Sequence, residues 1–453
     1  MRNDIYTRYS SYDANCRREG VNKITIPKNM MPVVFALLYI LISLFCTNGI
    51  IMLGVFLVCL ISMMLLKYNY DSMLLFICVL LINSKVTALD TFLGASLTLI
   101  IHSISSMIIL MKYLRSKVKT STSLVSIKYY FVVLLYYIGS CLYFRSPITT
   151  FITILFIMIL SYAMQGVASE KSAEVVKVFY YSILIMCVIA YIELIIGQTF
   201  FYSRWISESR YRYNILRVGS TVADPNFLAT LLVVSLCLFQ TRAFKDIIGK
   251  KRIRLVSMLM ILMIVLTTSR TALITLALVF VFIIALEYKP IILILFPILL
   301  FLLPNIFSIF DNMISNSFVE STNFRNYVVG TSLSLWYQNP IFGLGWGSGL
   351  SNLRAILGDT TDTMNTYIYL LLSGGVVSLI SYVFYIIMLV KNYIIKLLRM
   401  GKGDSIYIVA AMIAWSIMAY SLDLYYMFFL WFFPAILIAV NVYEKSDKII
   451  NKT

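Results

Sequence analysis

Histidine is nearly missing: the 453 residues hold one, His102, beside 37 lysines and arginines and 20 aspartates and glutamates. With one histidine and no zinc spacing, a His-rich metal centre is excluded. The seven cysteines (Cys16, Cys46, Cys59, Cys78, Cys141, Cys187 and Cys237) are scattered, and none forms a C-x-x-C pair. Most lie inside apolar runs, as small core residues do, so neither a disulfide framework nor a metal site is expected. Charge is scarce too. Only 13% of residues are charged while 61% are hydrophobic, and mean hydropathy is +0.90. A soluble domain is excluded, and the composition is that of a polytopic membrane protein. There is no RNA-binding aromatic motif and no long basic helix, so the net charge of +17 reads as loop basicity against anionic lipid, not as a nucleic-acid surface. Internal repeats and systematic Gly or Pro interruptions are also lacking, which counts against an inverted-repeat transporter.

What is present is a succession of apolar segments of membrane-spanning length. They fall near residues 31–46, 49–66, 71–84, 91–111, 127–144, 147–165, 175–198, 223–242, 253–269, 271–287, 290–309, 365–390, 405–422 and 424–443, about 14 spans in all. The expected fold class is all-α. The expected organisation is a basic cytoplasmic tail (1–30), transmembrane helices (31–198), a first extracytoplasmic loop (199–222), and transmembrane helices with Arg270 at an outer end (223–309). A large extracytoplasmic loop (310–364), C-terminal transmembrane helices (365–443) and a cytoplasmic tail (444–453) follow. The tail at 1–29 has no small-residue cleavage site after its apolar run, so it does not read as a signal peptide. With the N-terminus inside, 28 of the 37 Lys/Arg fall on the inner side, in keeping with the positive-inside rule.

The nine cations left outside are Lys85, Arg145, Arg204, Arg210, Arg212, Arg217, Arg270, Arg325 and Arg354, eight of them arginine. Lysine would serve topology equally well, whereas arginine is preferred where a planar fork must hold phosphate or carboxylate. The outer face is therefore expected to hold an anion, most simply a phosphate. In "LTTSRTALITLALVF" Arg270 falls at the junction of two apolar runs, as a boundary ligand or a snorkelling anchor. "RVGSTVADPNFLATLLV" contains Asp224-Pro225, a helix start with aspartate as N-cap. "NPIFGLGWGSGL" lacks the Lys-Ser/Thr of a P-loop, and its glycines suit close backbone approach to a sugar or a helix end. Asp359 and Asp362 form an i,i+3 carboxylate pair that reads as a solvated cap, a general base or a divalent-ion site, with nothing else favouring a metal. His102, among local serines, reads as a packing residue, and Glu193 as a carboxylate seeking an arginine.

Taken in order, "ADPNFLATLL", "TTSRTAL", "FRNYVVGTSLSLWYQNPIFGLGWG" and "MNTYIYLLLSGGVVSLI" resemble the motifs of the bacterial O-antigen polymerase and ligase superfamily, over roughly residues 210–385. The resemblance implies a GT-C-like glycosyltransferase architecture with two larger extracytoplasmic loops. It also implies a plasma-membrane enzyme whose site faces the exterior and acts on undecaprenyl-diphosphate-linked oligosaccharide. Carried over by motif, the catalytic arginines are Arg270 and Arg325, with Arg217 just before the DPN motif; the base is open among Asp224, Glu193, Asp359 and Asp362. Expected substrate contacts are Arg210, Arg212, Arg354, Asn226, Asn365, Tyr367 and Trp346, the aromatics by stacking on sugar faces. No cofactor or metal is expected; partners are membrane lipid and a chain-length regulator protein, with no nucleic acid. Ligases of the superfamily carry histidine just before the asparagine of the last motif. Met364 stands there, which favours polymerase over ligase, with a lipid-linked oligosaccharide flippase as a further alternative.

Overall fold

The computed structural model describes residues 30–46, 48–83, 97–115, 148–200, 211–212, 215–287, 317–358, 362–400, 403–425 and 427–450. The spans expected at 127–144 and 290–309, and the tail at 1–29, lie outside these residues. The described chain is helical apart from a two-residue antiparallel ladder. In order, α1 is Met31–Ser43, α2 Gly49–Leu65, α3 Tyr70–Ile82, α4 Leu97–Arg115, α5 Ile148–Glu170 and α6 Ser172–Ile196. The ladder β1 (Tyr211–Arg212) with β2 (Ile215–Leu216) and a 3-10 turn (Ser220–Val222) lead into α7 (Pro225–Phe239), α8 (Arg242–Ile248), α9 (Lys250–Leu266) and α10 (Arg270–Glu287). Then come α11 (Ser317–Trp336), α12 (Ser348–Leu357), α13 (Thr366–Met400), α14 (Asp404–Ser421) and α15 (Phe428–Ile450).

Five of these helices are long and apolar enough to cross a membrane, six if α7 and α8 count as one bent span, and α1–α4 and α15 contribute shorter apolar helices. This is the architecture of a polytopic membrane protein. Two boundaries differ from the sequence expectation for identifiable reasons. The span expected at 223–242 turns through 86° after Phe239, so that α8 crosses the end of the bundle. The helix expected at 365–390 reaches Met400 but is broken at Gly375 (φ 62, ψ −162), a conformation that only glycine adopts readily.

α15 packs against α5 and α6, and α14 lies between α7, α13 and α10. Their shared core is aromatic: Phe179 meets Phe239 and Phe244 edge-on, and Trp415 stacks on Phe429. α10 and α14 are antiparallel, since Thr275 touches Met418 near one end and Glu287 accepts from the Tyr407 hydroxyl at the other. Side chains that point away from this core, such as Leu255, Met258, Phe280 and Ile387, are large and apolar, as a lipid-facing surface requires.

The break in α13 is closed by the glycine-rich turn after α11. Leu344 and Gly345 donate backbone N–H bonds to the carbonyls of Leu372 and Ser373, at 2.8 and 2.9 Å. Val376 and Val377 donate in return to the carbonyls of Pro340 and Ile341, at 3.0 and 3.3 Å. The turn is thus the close approach to a helix end that its glycines suggested. A Cβ on Gly375 would lie 2.2 Å from the Ile341 oxygen, and one on Gly343 2.6 Å from the Gly374 nitrogen. Beneath the turn, Val328, Leu335, Leu353 and Leu372 form a small second core that joins α11 and α12 to α13.

Gly375→Ala is expected to cost about 1–3 kcal/mol in backbone strain alone and to lower the unfolding temperature of the detergent-purified protein. Gly54→Ala, in the middle of α2 where a Cβ meets nothing within 4 Å, should leave that temperature unchanged or raise it. Equal effects of the two substitutions would show that the docked turn does not stabilise the fold.

Candidate functional site

The motif residues converge at the end of the bundle where α10 begins and α14 ends. Asp224 caps α7 as its sequence predicts: Oδ1 accepts from the backbone N–H of Asn226 (2.7 Å) and Phe227 (3.1 Å), with Pro225 in the first turn. Asn365 does the same for α13, accepting from Tyr367 (2.9 Å) and Ile368 (3.2 Å). Arg217 is buried and joins two elements, with Nε donating to the Thr267 carbonyl (3.4 Å) and a terminal nitrogen to Asn226 Oδ1 (3.3 Å). Thr267 is the C-cap of α9, so the cation rests on the negative end of that helix. Arg325 repeats this on α14, donating to the Ser421 carbonyl at 3.3 Å. Burial lowers the Arg325 guanidinium below its ordinary pKa, and the nearby Asp224 carboxylate pushes it back up.

Arg270, half-buried, opens α10 three residues beyond Thr267. The Thr275–Met418 contact puts the start of α10 at the same end as Ser421. Arg354, on α12, pairs with Asp362 at 2.7 Å. Arg210 and Asp359 lie outside the described residues, and Arg212 is placed through its backbone, paired with Ile215. The two aromatics expected to contact sugars are placed differently, Trp346 buried and Tyr367 half-buried. Trp346 is 1% exposed and packs on Tyr369 and Tyr425, because the docked turn carries its indole inward, not towards a substrate. The Tyr367 hydroxyl donates to the Ser416 carbonyl at 2.8 Å.

Glu193 anchors the loop through its backbone. It is fully buried and accepts from the backbone N–H of Phe200 and Ser220, both at 2.9 Å. The Ser220 hydroxyl reaches the Met186 carbonyl and the Thr221 hydroxyl reaches Asn83, so α3 and α6 fix the turn that precedes Asp224. That turn is strained, with Ser220 at φ 50 and Ala223 at φ 58. Thr268 (φ 52) and Met364 (φ 53) are strained likewise, just before Arg270 and Asn365. Of the described non-glycine residues with positive φ, only Lys67 lies away from these motifs. Strain of this kind, about 1–3 kcal/mol per residue, persists where neighbouring structure over-determines the backbone, and it gathers at functional sites. His102 is buried with its ring near Phe428, in keeping with a packing role.

One residue escaped the sequence reading. Asp423, between α14 and α15, is held by its neighbours: Thr366 N–H and hydroxyl both donate to the Leu422 carbonyl (3.0 and 2.7 Å), and Leu424 N–H donates to the Thr366 hydroxyl (2.8 Å). Its Oδ1 is shielded from solvent without a hydrogen-bond partner among the described residues. Burial, reinforced by the charge of Asp362, pushes the carboxyl up to about 8. The signal for it was present, since Asp423 is the one residue left between the spans expected at 405–422 and 424–443.

A helical, lipid-facing bundle with arginines and carboxyls gathered at one end defines a polytopic membrane protein with a polar centre at the bundle end. Residues 255–383 match the family described as O-antigen ligase, a segment that carries Arg270, Arg325, Arg354 and Asn365, and the match supports the O-antigen polymerase and ligase superfamily. No curated protein matches the chain.

Because the Asp423 pKa is raised, its neutral form is favoured in the folded state. The resulting stabilisation is full below the unfolded carboxyl's pKa near 4 and is lost as pH rises towards about 8. Asp423→Asn should therefore match the wild-type unfolding temperature near pH 4 and exceed it at pH 8. A constant difference across that range would contradict the raised pKa.

Proposed function

We propose that the chain is a polysaccharide polymerase of O-antigen or capsule type, working at the outer face of the bacterial plasma membrane. It transfers the growing glycan from undecaprenyl diphosphate to a sugar hydroxyl of an incoming lipid-linked repeat unit. The observation that carries this reading is the gathering of Arg217, Arg325 and the Arg270 helix start at one end of a membrane bundle, beside Asp224 and Asp423. The opposite end carries lysines, with Lys112 and Lys171 on Asp71 and Lys396 on Glu444, and the positive-inside rule turns that end to the cytoplasm.

In the proposed step the acceptor hydroxyl attacks the anomeric carbon of the donor and the bond to the diphosphate breaks, with inversion. Charge develops on the departing diphosphate, and preorganised guanidinium groups stabilise it. The hydroxyl proton passes to Asp423, whose pKa of about 8 lies close enough to neutrality for it to accept and release a proton. No step calls on a metal. A chain-length regulator protein is the partner this reading adds.

A ligase is the second reading, favoured by the description of the matched family. It would use the same arginines with a different acceptor. Met364, at the position where the superfamily's ligases carry histidine, favours the polymerase.

Deleting the gene in its host and running the surface glycan on a gel separates the two. A polymerase predicts loss of the ladder with one repeat unit still attached to its anchor. Accumulation of lipid-linked polymer with nothing attached at the surface would identify a ligase. In membranes supplied with lipid-linked repeat unit, Arg270→Lys should lower the rate about a hundredfold or more. Full activity of that variant would rule out a bidentate role for Arg270.

A further inference from the structure

At the end of the bundle opposite Arg270, the corner between α7 and α8 opens a cavity of about 700 Å³ against the first turns of α9. This lies well above the space one phosphate needs and within the range of small-molecule sites. Four cations line it, Arg242, Lys245, Lys250 and Arg254, against one carboxylate, Asp246. The Asp246 carboxylate accepts from the Tyr443 hydroxyl at 3.3 Å. Gln240 and Ser257, bonded to each other at 3.4 Å, and the apolar side chains of Ile253, Met258 and Ile261 complete the wall. Met258 and Ile261, 64% and 43% exposed, stand on successive turns of α9 and run into the outward-facing stripe that includes Leu255, Leu262 and Val265. A basic mouth thus opens onto a surface fit for acyl chains.

We propose that this cavity binds an anionic glycerophospholipid, its headgroup phosphate among Arg242, Lys250 and Arg254 and an acyl chain along Met258 and Ile261. A soluble anion would leave the apolar wall uncovered, and a zwitterionic lipid would add an unmatched cation to a mouth already rich in them. Both halves of the lining are satisfied only by a molecule with a phosphate at one end and hydrocarbon at the other. Basic pockets between helices near a membrane surface hold such headgroups on the same physical grounds. Arg254 and Lys250, which hold the headgroup, precede Thr267 along α9 by roughly 20 and 25 Å at 1.5 Å per residue, so the headgroup lies apart from the arginine site. The inference depends on the chain being a membrane protein and not on the glycan reading.

The test is native mass spectrometry of the full-length protein in detergent, titrated with phosphatidylglycerol or phosphatidylcholine, with and without inorganic phosphate. The expected result is one phosphatidylglycerol bound at least about tenfold more tightly than phosphatidylcholine, a difference of roughly 1.4 kcal/mol, with millimolar phosphate failing to displace it. The double variant Lys250→Gln, Arg254→Gln changes two exposed side chains and should fold normally, with an unchanged unfolding temperature in lipid-free detergent. It should bind phosphatidylglycerol no better than phosphatidylcholine. Equal affinity for the two lipids, or undiminished binding by the double variant, would overturn the proposal. Complete displacement by inorganic phosphate would overturn it too, and would assign the cavity to a free anion.

Discussion

Hydrocarbon offers no hydrogen bonds, so any interruption of a helix inside a membrane protein must find partners for its backbone within the protein. The break at Gly375 exposes this constraint most clearly. It leaves the carbonyls of Leu372 and Ser373 and the N–H groups of Val376 and Val377 outside the normal helical ladder, and the turn from Pro340 to Gly345 supplies a partner for each. Because that turn joins α11 to α12, satisfying the break also fixes where both helices lie. Arg325 and Arg354 are therefore positioned by backbone bonds some distance from their own side chains. The upper half of α13, held in place below, then presents Thr366 to the Leu422–Leu424 connection and so orients Asp423.

The arginines are held on the same principle. Arg217 and Arg325 rest on carbonyls at the C-terminal ends of α9 and α14, where the helix dipole is negative and carbonyls lack helical partners. A carbonyl orients a guanidinium without neutralising it, whereas a carboxylate partner would cancel its charge. Arg354, paired with Asp362 at 2.7 Å, is the contrasting case.

Much of this was legible in the sequence because it is local. Asp224-Pro225 announces a helix start and caps as its residue types require; Asn365, expected only as a substrate contact, caps α13 in the same way. The arginine bias among the cations on one side pointed to a charged end before any contact was known. What could not be read was non-local. Nothing in the sequence near Glu193 says that its carboxylate will hold the N–H groups of Phe200 and Ser220. Trp346 was read as a loop aromatic available to sugars, but the glycine turn that makes the loop docks it inward onto Tyr425. The 86° corner after Phe239 escaped for a similar reason, since the charged residues that follow it, from Arg242 to Arg254, read as a loop and not as a further helix packed on the bundle.

Strain connects these observations to chemistry. Ser220, Ala223, Thr268 and Met364 all hold left-handed backbone conformations, and each sits within a few residues of a motif side chain. A relaxed loop would place Arg217 or Arg270 only loosely, and stabilising charge that develops in a transition state requires donors fixed in advance. Here the rigidity comes from outside the motifs, through Glu193 and Asn83 on helices of the N-terminal half. That half carries no motif of its own. Its role, on this physical reading, is to hold the turn before Asp224 in a conformation that the turn would not adopt by itself, so the first helices contribute to the site by what they restrain.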